Sequence, residues 1–315
     1  MIANFFNKTK PINFLILSIL MLIVFVINTW SVLPNEFTFG IFLRKSTFLI
    51  FSILSVFVFS FILRKNLLTE NNSYALLFYI LFFGLFQYSF NNEKILLSNF
   101  VLLFAFRRIY SLRTPLKPKE KIFDSAFWVG IASLIYIWSS LYLILIYFAV
   151  FIFNKREWRN VFIPLIGFKT PLFLFYIYLI LIGNVSGFKE VLEFQLSFDF
   201  KNYNQKTFLI PILTLIIFAL VSVFPTTRKF LSAKIDHKSS WFVLLFHILI
   251  ATIIVILVPE KNGSEFVFLF FPLSILFADF VQLIKRYWIK ETILYTFLIL
   301  LLVSFIFELQ FRPKS

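Results

Sequence analysis

The sequence predicts an all-α fold, a polytopic transmembrane helical bundle of about eleven spans (ten to twelve) with a cytoplasmic N-terminus. Three observations carry this expectation. Hydrophobic residues make up 60% of the 315 and charged residues only 14%, at a mean hydropathy of +0.91. A water-soluble chain carries about 25% charged residues, so polar side chains are too few here to cover a globule. Apolar runs of spanning length recur from one end to the other. Lys and Arg collect in alternate connections. A single integral membrane domain over 1–315 follows, with no soluble domain.

Apolar stretches bounded by charged residues or by Pro, Asn and Gly place the spans at about 13–32, 46–63, 74–91, 95–107, 124–137, 139–154, 160–183, 207–225, 241–258, 265–284 and 292–309. Several are shorter than the ~20 residues of an upright helix, so these are half-buried or lie against other helices. The first stretch continues into "NTWSVLPNEF" without a small-x-small cleavage site, and reads as a retained helix, not a signal peptide. The run "FDSAFWVGIASLIYIWSSLYLILIYFAVFIF" (123–153) would be about 46 Å long as one helix, against a hydrocarbon core of ~30 Å. A hairpin turning at Trp138–Ser139–Ser140 fits better, with Tyr136, Trp138 and Tyr142 near the outer interface. Residues 183–207 are polar with intermittent aromatics and read as a short outer-face amphipathic helix.

The basic stretch "FAFRRIYSLRTPLKPKEKIF" (104–123) tests the threading. With the N-terminus inside, the cytoplasmic loops hold twenty Lys/Arg and five Asp/Glu, while the opposite loops and the C-terminal tail hold nine and eight. That asymmetry is the positive-inside bias. The basic loop therefore lies against the anionic headgroups of the bilayer, at about 1 kcal/mol per nearby cation. Nucleic acid is excluded as a partner, because that needs a basic face on a folded soluble domain.

Zero Cys rules out disulfides, thiolate metal sites and Cys nucleophiles, and two His leave little for a transition metal. No Walker, dinucleotide, nucleophile-elbow or zincin motif occurs. Ionisable residues inside apolar spans are costly and so informative: Lys169, His247 and Asp279 qualify. Lys169, between Pro164, Gly167 and Pro171, either grips a phosphate or carboxylate in a membrane cavity, snorkels to the cytoplasmic side, or satisfies carbonyls freed by the prolines. His247 and Asp279 lie at similar depth on antiparallel helices and could form a buried polar pair, structural or proton-relaying. The outer-face carboxylates are Glu36, Glu93, Glu190, Glu193, Asp199, Glu260 and Glu265. Most are expected to be solvated, with Glu190 and Glu193 sharing one helix face.

Across "NNEKILLSNFVLLFAFRRIYSL", the 123–153 hairpin and "IPLIGFKTPLFLF", the order of features resembles the C superfamily of glycosyltransferases that use polyprenyl-phosphate-linked sugars. The shared order is a short span, a basic cytoplasmic loop, a small-residue hairpin and a Pro-containing helix. That resemblance implies an acidic catalytic residue just after the first span. Glu36 stands there, as Glu where Asp is more usual. It further implies a polyprenyl-phosphate lipid received near Lys169, Arg107 and Arg108, transfer at the outer face, and at most a divalent cation as cofactor. The chain departs from that family in its first outer loop, which is short. Its opening "MIANFFNKTKPINF" and hairpin region also resemble an uncharacterised family of Bacteroidota polytopic inner-membrane proteins, which implies the bacterial inner membrane. Two other function classes stand beside the enzyme: a non-catalytic subunit of an envelope secretion, glycan-export or motility complex with membrane protein partners, and a small-molecule carrier using Lys169, His247 and Asp279.

Overall fold

The computed structural model describes residues 2–30, 38–155 and 157–311. The chain is 82% helical, with no strand among the described residues. In order, the α-helices are α1 (Ile2–Phe6), α2 (Pro11–Trp30), α3 (Phe39–Asn66), α4 (Tyr74–Leu85), α5 (Glu93–Ser111), α6 (Pro118–Ile135), α7 (Tyr142–Ile152), α8 (Trp158–Leu181), α9 (Ser186–Val191), α10 (Lys206–Leu231), α11 (Ile235–Leu257), α12 (Val267–Leu283) and α13 (Tyr287–Phe311). Every expected span falls on a helix. Among the described residues, seven helices (α2, α3, α8, α10, α11, α12 and α13) are both long and apolar enough to cross a membrane. The remaining apolar helices are shorter, α4 at 12 residues and α7 at 11. The protein is a helical membrane protein.

Local sequence explains the boundaries. Pro11 and Pro118 open α2 and α6, where a missing N–H costs nothing. Thr38 caps α3 by accepting from Ile41 N–H, and Arg64 and Lys65 in the last turn complement the helix dipole. At 28 residues α3 is about 42 Å long, so it starts well before the apolar stretch that predicted it.

The chain divides into two compact units: residues 1–93, 199–229 and 261–315, and residues 94–198 and 230–260. In the first, α4 is buried along its whole length, enclosed by α2, α3, α12 and α13. Its packing is aromatic. Phe78, Phe218, Phe277 and Phe297, from α4, α10, α12 and α13, interlock edge to face, with centroids 4.5–5.6 Å apart for Phe78–Phe277, Phe78–Phe297, Phe218–Phe277 and Phe218–Phe297. Part of the phenylalanine content therefore builds a core instead of covering the lipid-facing surface.

The second unit packs by the opposite means. A Cβ on Gly130 of α6 would lie 2.6 Å from the Phe168 carbonyl oxygen and 2.5 Å from Pro171; one on Gly167 of α8 would lie 2.7 Å from the Phe123 carbonyl oxygen. Backbone meets backbone at this crossing, which is what small residues permit between membrane helices. The 123–153 run does break. α6 ends at Ile135, Tyr136 is extended, and a 3-10 turn at Ile137–Leu141 leads into α7. Ser98 on α5 donates to the Ala132 carbonyl at 3.0 Å and meets Ser139 Oγ at 2.6 Å, satisfying polar groups at the break.

Trp138 and Tyr142 are buried in the protein. Phe194 stands edge-on to Trp138 at 5.4 Å, so the segment after α9 covers the turn. The 183–207 stretch is not one amphipathic helix. α9 ends at Val191, leaving Glu193 beyond it, and Glu190 and Glu193 share no helix face.

Candidate functional site

In the second unit the basic segment begins on α5 and runs into α6. Arg108 Nη2 is 2.7 Å from Asp124 Oδ2, so the guanidinium is already paired by a carboxylate one helix away. Lys121 is nearly buried, and its ammonium donates to Ser111 O (2.8 Å), Thr114 O (3.2 Å) and Thr114 Oγ1 (2.6 Å). All three donors are used, and they staple the loop after α5. Burial, then the nearby Arg108 and Lys155 charges, hold the Lys121 pKa below the ordinary lysine value. Lys119 pairs with Glu157 at 3.2 Å and Lys117 with Glu120 at 3.0 Å. Arg107 is half-buried, and Arg113 Nη1 is buried without a hydrogen-bond partner. Much of the basic run is thus tied down by its own loop.

His247 sits in the same unit, fully buried among aromatic rings. Its Nδ1 lies 3.2 Å from Tyr110 Oη; the Phe106 and Tyr142 rings are 4.3 and 5.3 Å away between centroids. The histidine locks α5, α7 and α11 together. Asp279 belongs to the other unit. Tyr110 was the partner that sequence reasoning missed; its place at the end of α5, among basic residues, made it look like part of the loop.

Lys169 is exposed on α8. Gly167, two residues earlier, faces α6, and two residues turn a helix by about 200°. The ammonium therefore stands on the side away from α6, beside exposed Phe162, Ile166 and Phe173. Among the described residues no hydrogen bond or ion pair reaches Nζ, and α8 runs unbroken through Pro164 and Pro171. The proposed capping of freed carbonyls by Lys169 is thus not made.

In the first unit, Asp279 is buried on α12, and its Oδ2 has no hydrogen-bond partner. One turn later Gln282 receives a hydrogen bond from Asn72 Nδ2 at 2.8 Å and donates to Glu70, which pairs with Lys229 at 2.8 Å. Beside this network a cleft of about 150 Å³ opens, lined by Arg64, Glu70, Asn72, Thr9 and Leu63 among others. Sequence reasoning named none of these residues except Asp279; Glu70 and Gln282 read as ordinary loop and helix-end polars.

At other loops of this unit, the carboxylates expected to be solvated are not all so. Glu93 pairs with Arg44 at 2.6 Å. Glu265 is fully buried, accepting from the Tyr203 hydroxyl and from Gly263 N–H, because Gly263 at φ +91° turns the chain back over it. Beside it Lys261 lies 4.8 Å from the Phe200 ring, and burial lowers the Lys261 pKa while Glu265 opposes that shift.

Glu36, the candidate catalytic residue, lies outside the described residues. Among the described residues no group of three or more His, Cys, Asp or Glu could hold a metal ion. A family model described as a family of unknown function, DUF6427, matches residues 6–312. No curated protein and no solved structure matches the chain.

Proposed function

The chain belongs to DUF6427, a family of unknown function, and we propose that it acts as a non-catalytic subunit of a bacterial inner-membrane envelope assembly, holding a partner helix against α8. Lys169 carries this reading: it is an exposed ammonium about 14 Å along the apolar span that begins at Asn160. A lysine at the centre of a membrane helix costs about 2.5–3.5 kcal/mol on insertion scales. A carboxylate on a neighbouring span would offset that cost, and α6 already occupies the opposite face of α8. The test is affinity purification in mild detergent. A stoichiometric membrane partner with an acidic residue in a span should co-purify with wild type and Lys169→Arg and be lost with Lys169→Leu. Equal recovery with all three would leave Lys169 a snorkelling residue and end the proposal.

The threading starts in the cytosol. The seven long helices and two further pairs, α4 with α5 and α6 with α7, give the same side for every cytoplasmic loop whether each pair crosses fully or returns from within the bilayer. The excess of twenty to nine cations supports this sidedness in both versions.

A glycosyltransferase using a polyprenyl-phosphate-linked sugar is the second reading. The observation in its favour is Arg113, whose Nη1 is buried without a partner six residues after Arg107. Replacing Glu36 by Gln decides it, since unchanged envelope glycans would leave the enzyme without its base.

A further inference from the structure

The first unit carries a cleft that the partner-holding reading does not use. We propose that the cleft beside the end of α3 binds a phosphate group, either the headgroup of an anionic phospholipid or a free phosphate. The cleft holds about 150 Å³, enough for a phosphate and part of what is esterified to it, and is lined by Arg64, Thr9, Thr69 and Asn71 together with apolar Leu63 and Leu67. Its charge balance selects an anion. Glu70, the carboxylate in the wall, is already engaged on one oxygen by Lys229 at 2.8 Å and on the other by Gln282. Arg64 has no carboxylate partner among the described residues: its Nη2 and Nε lean on Ser60 Oγ and Ser60 O at 3.0 and 3.5 Å. That fixes the guanidinium along α3 while leaving further N–H donors, and a guanidinium fork matches phosphate oxygens in pairs. Exposed Lys8, Lys10 and Lys65 flank the same loops and add positive potential.

The backbone holds the cleft open. Thr9 N–H donates to Asn71 O at 3.3 Å, and Asn72 Oδ1 accepts from Tyr74 N–H while its Nδ2 reaches Gln282. The loop after α3 is therefore braced at Asn71 and Asn72, while Ser60 holds Arg64 along α3, so the donors are set before a ligand arrives and little ordering is needed on binding.

The experiment uses the full-length protein, delipidated in detergent, with two probes: inorganic phosphate, and phosphatidic acid in phosphatidylcholine nanodiscs. Thermal stability is read with the first and bound lipid by native mass spectrometry with the second. Saturable stabilisation by inorganic phosphate identifies a free-phosphate site. Retention of phosphatidic acid over phosphatidylcholine, without an effect of free phosphate, identifies a headgroup site. In either case Arg64→Gln should weaken binding at least tenfold and Lys189→Gln, a cation of the second unit, should not. Thr69→Trp, which fills the cleft from its rim, gives the same loss should Arg64→Gln fail to fold. Binding of neither probe, or binding that survives both cleft variants, overturns the proposal. Loss of the α8 partner with Lys169→Leu is a separate readout, so the two readings fail independently.

Discussion

At the scale of single residues, packing and hydrogen-bond geometry make sharp distinctions. Gly130 and Gly167 sit where a Cβ meets a backbone carbonyl oxygen under 3 Å away, whereas a Cβ on Gly40 meets nothing within 4 Å. Gly130→Ala should destabilise the folded protein by about 1–3 kcal/mol, and Gly40→Ala should not; thermal unfolding in detergent compares them. Tyr110→Phe removes the hydroxyl at His247 Nδ1 and should cost about 1 kcal/mol. A Tyr110→Phe/His247→Leu double-mutant cycle should then show less than additive loss. Lys121 gives the pH dependence. Its folded pKa is lowered, so between that value and its unfolded value of 10.5 the folded state binds fewer protons than the unfolded one. Its contribution is unfavourable at neutral pH and that cost is relieved as pH rises through this window. The difference in stability between wild type and Lys121→Met should change in that direction from pH 8 to pH 10. These contacts were poorly legible in the sequence. His247 and Asp279 stood out by being ionisable in apolar runs, but Tyr110 and Gln282 are ordinary residues, and only the crossing of helices distant in sequence gives them partners.

At the scale of elements, the sequence was far more informative, because burial in a bilayer demands long apolar segments whose ends are marked by charge. All the expected spans fall on helices, and the break in 123–153 lies where the Trp138–Ser139–Ser140 turn was expected. What stayed hidden was which face of each helix packs. The Pro-rich stretch around Lys169 looked like a kinked binding element, yet α8 continues through both prolines and uses Gly167 to meet α6. Residues 183–207 do not form one helix: α9 stops at Val191, and Phe194 beyond it stands edge-on to Trp138. Asp279 offers a test of how α12 is held. Its Oδ2 is buried without a hydrogen-bond partner, so a charge there is not compensated by hydrogen bonding at that oxygen. Asp279→Asn should therefore retain the thermal stability of wild type, whereas Glu70→Leu, which removes the carboxylate that engages both Lys229 and Gln282, should lower it.

At the scale of the whole molecule, two ways of packing membrane helices coexist in one chain: interlocked phenylalanines around α4, and glycine-mediated backbone contact between α6 and α8. The proposed threading rests on the charge asymmetry, and both the cytoplasmic side proposed for the basic loop and the outer side proposed for Glu36 depend on it. Because the chain has no cysteine, single introduced cysteines report sidedness without background. The most direct measurement is labelling of Arg113→Cys, Lys155→Cys and Lys189→Cys by a membrane-impermeant maleimide, in intact cells and after permeabilisation. Positions 113 and 155 should react only after permeabilisation and position 189 in intact cells. Opposite accessibility of 113 and 155, or reaction of all three from outside, would contradict the threading.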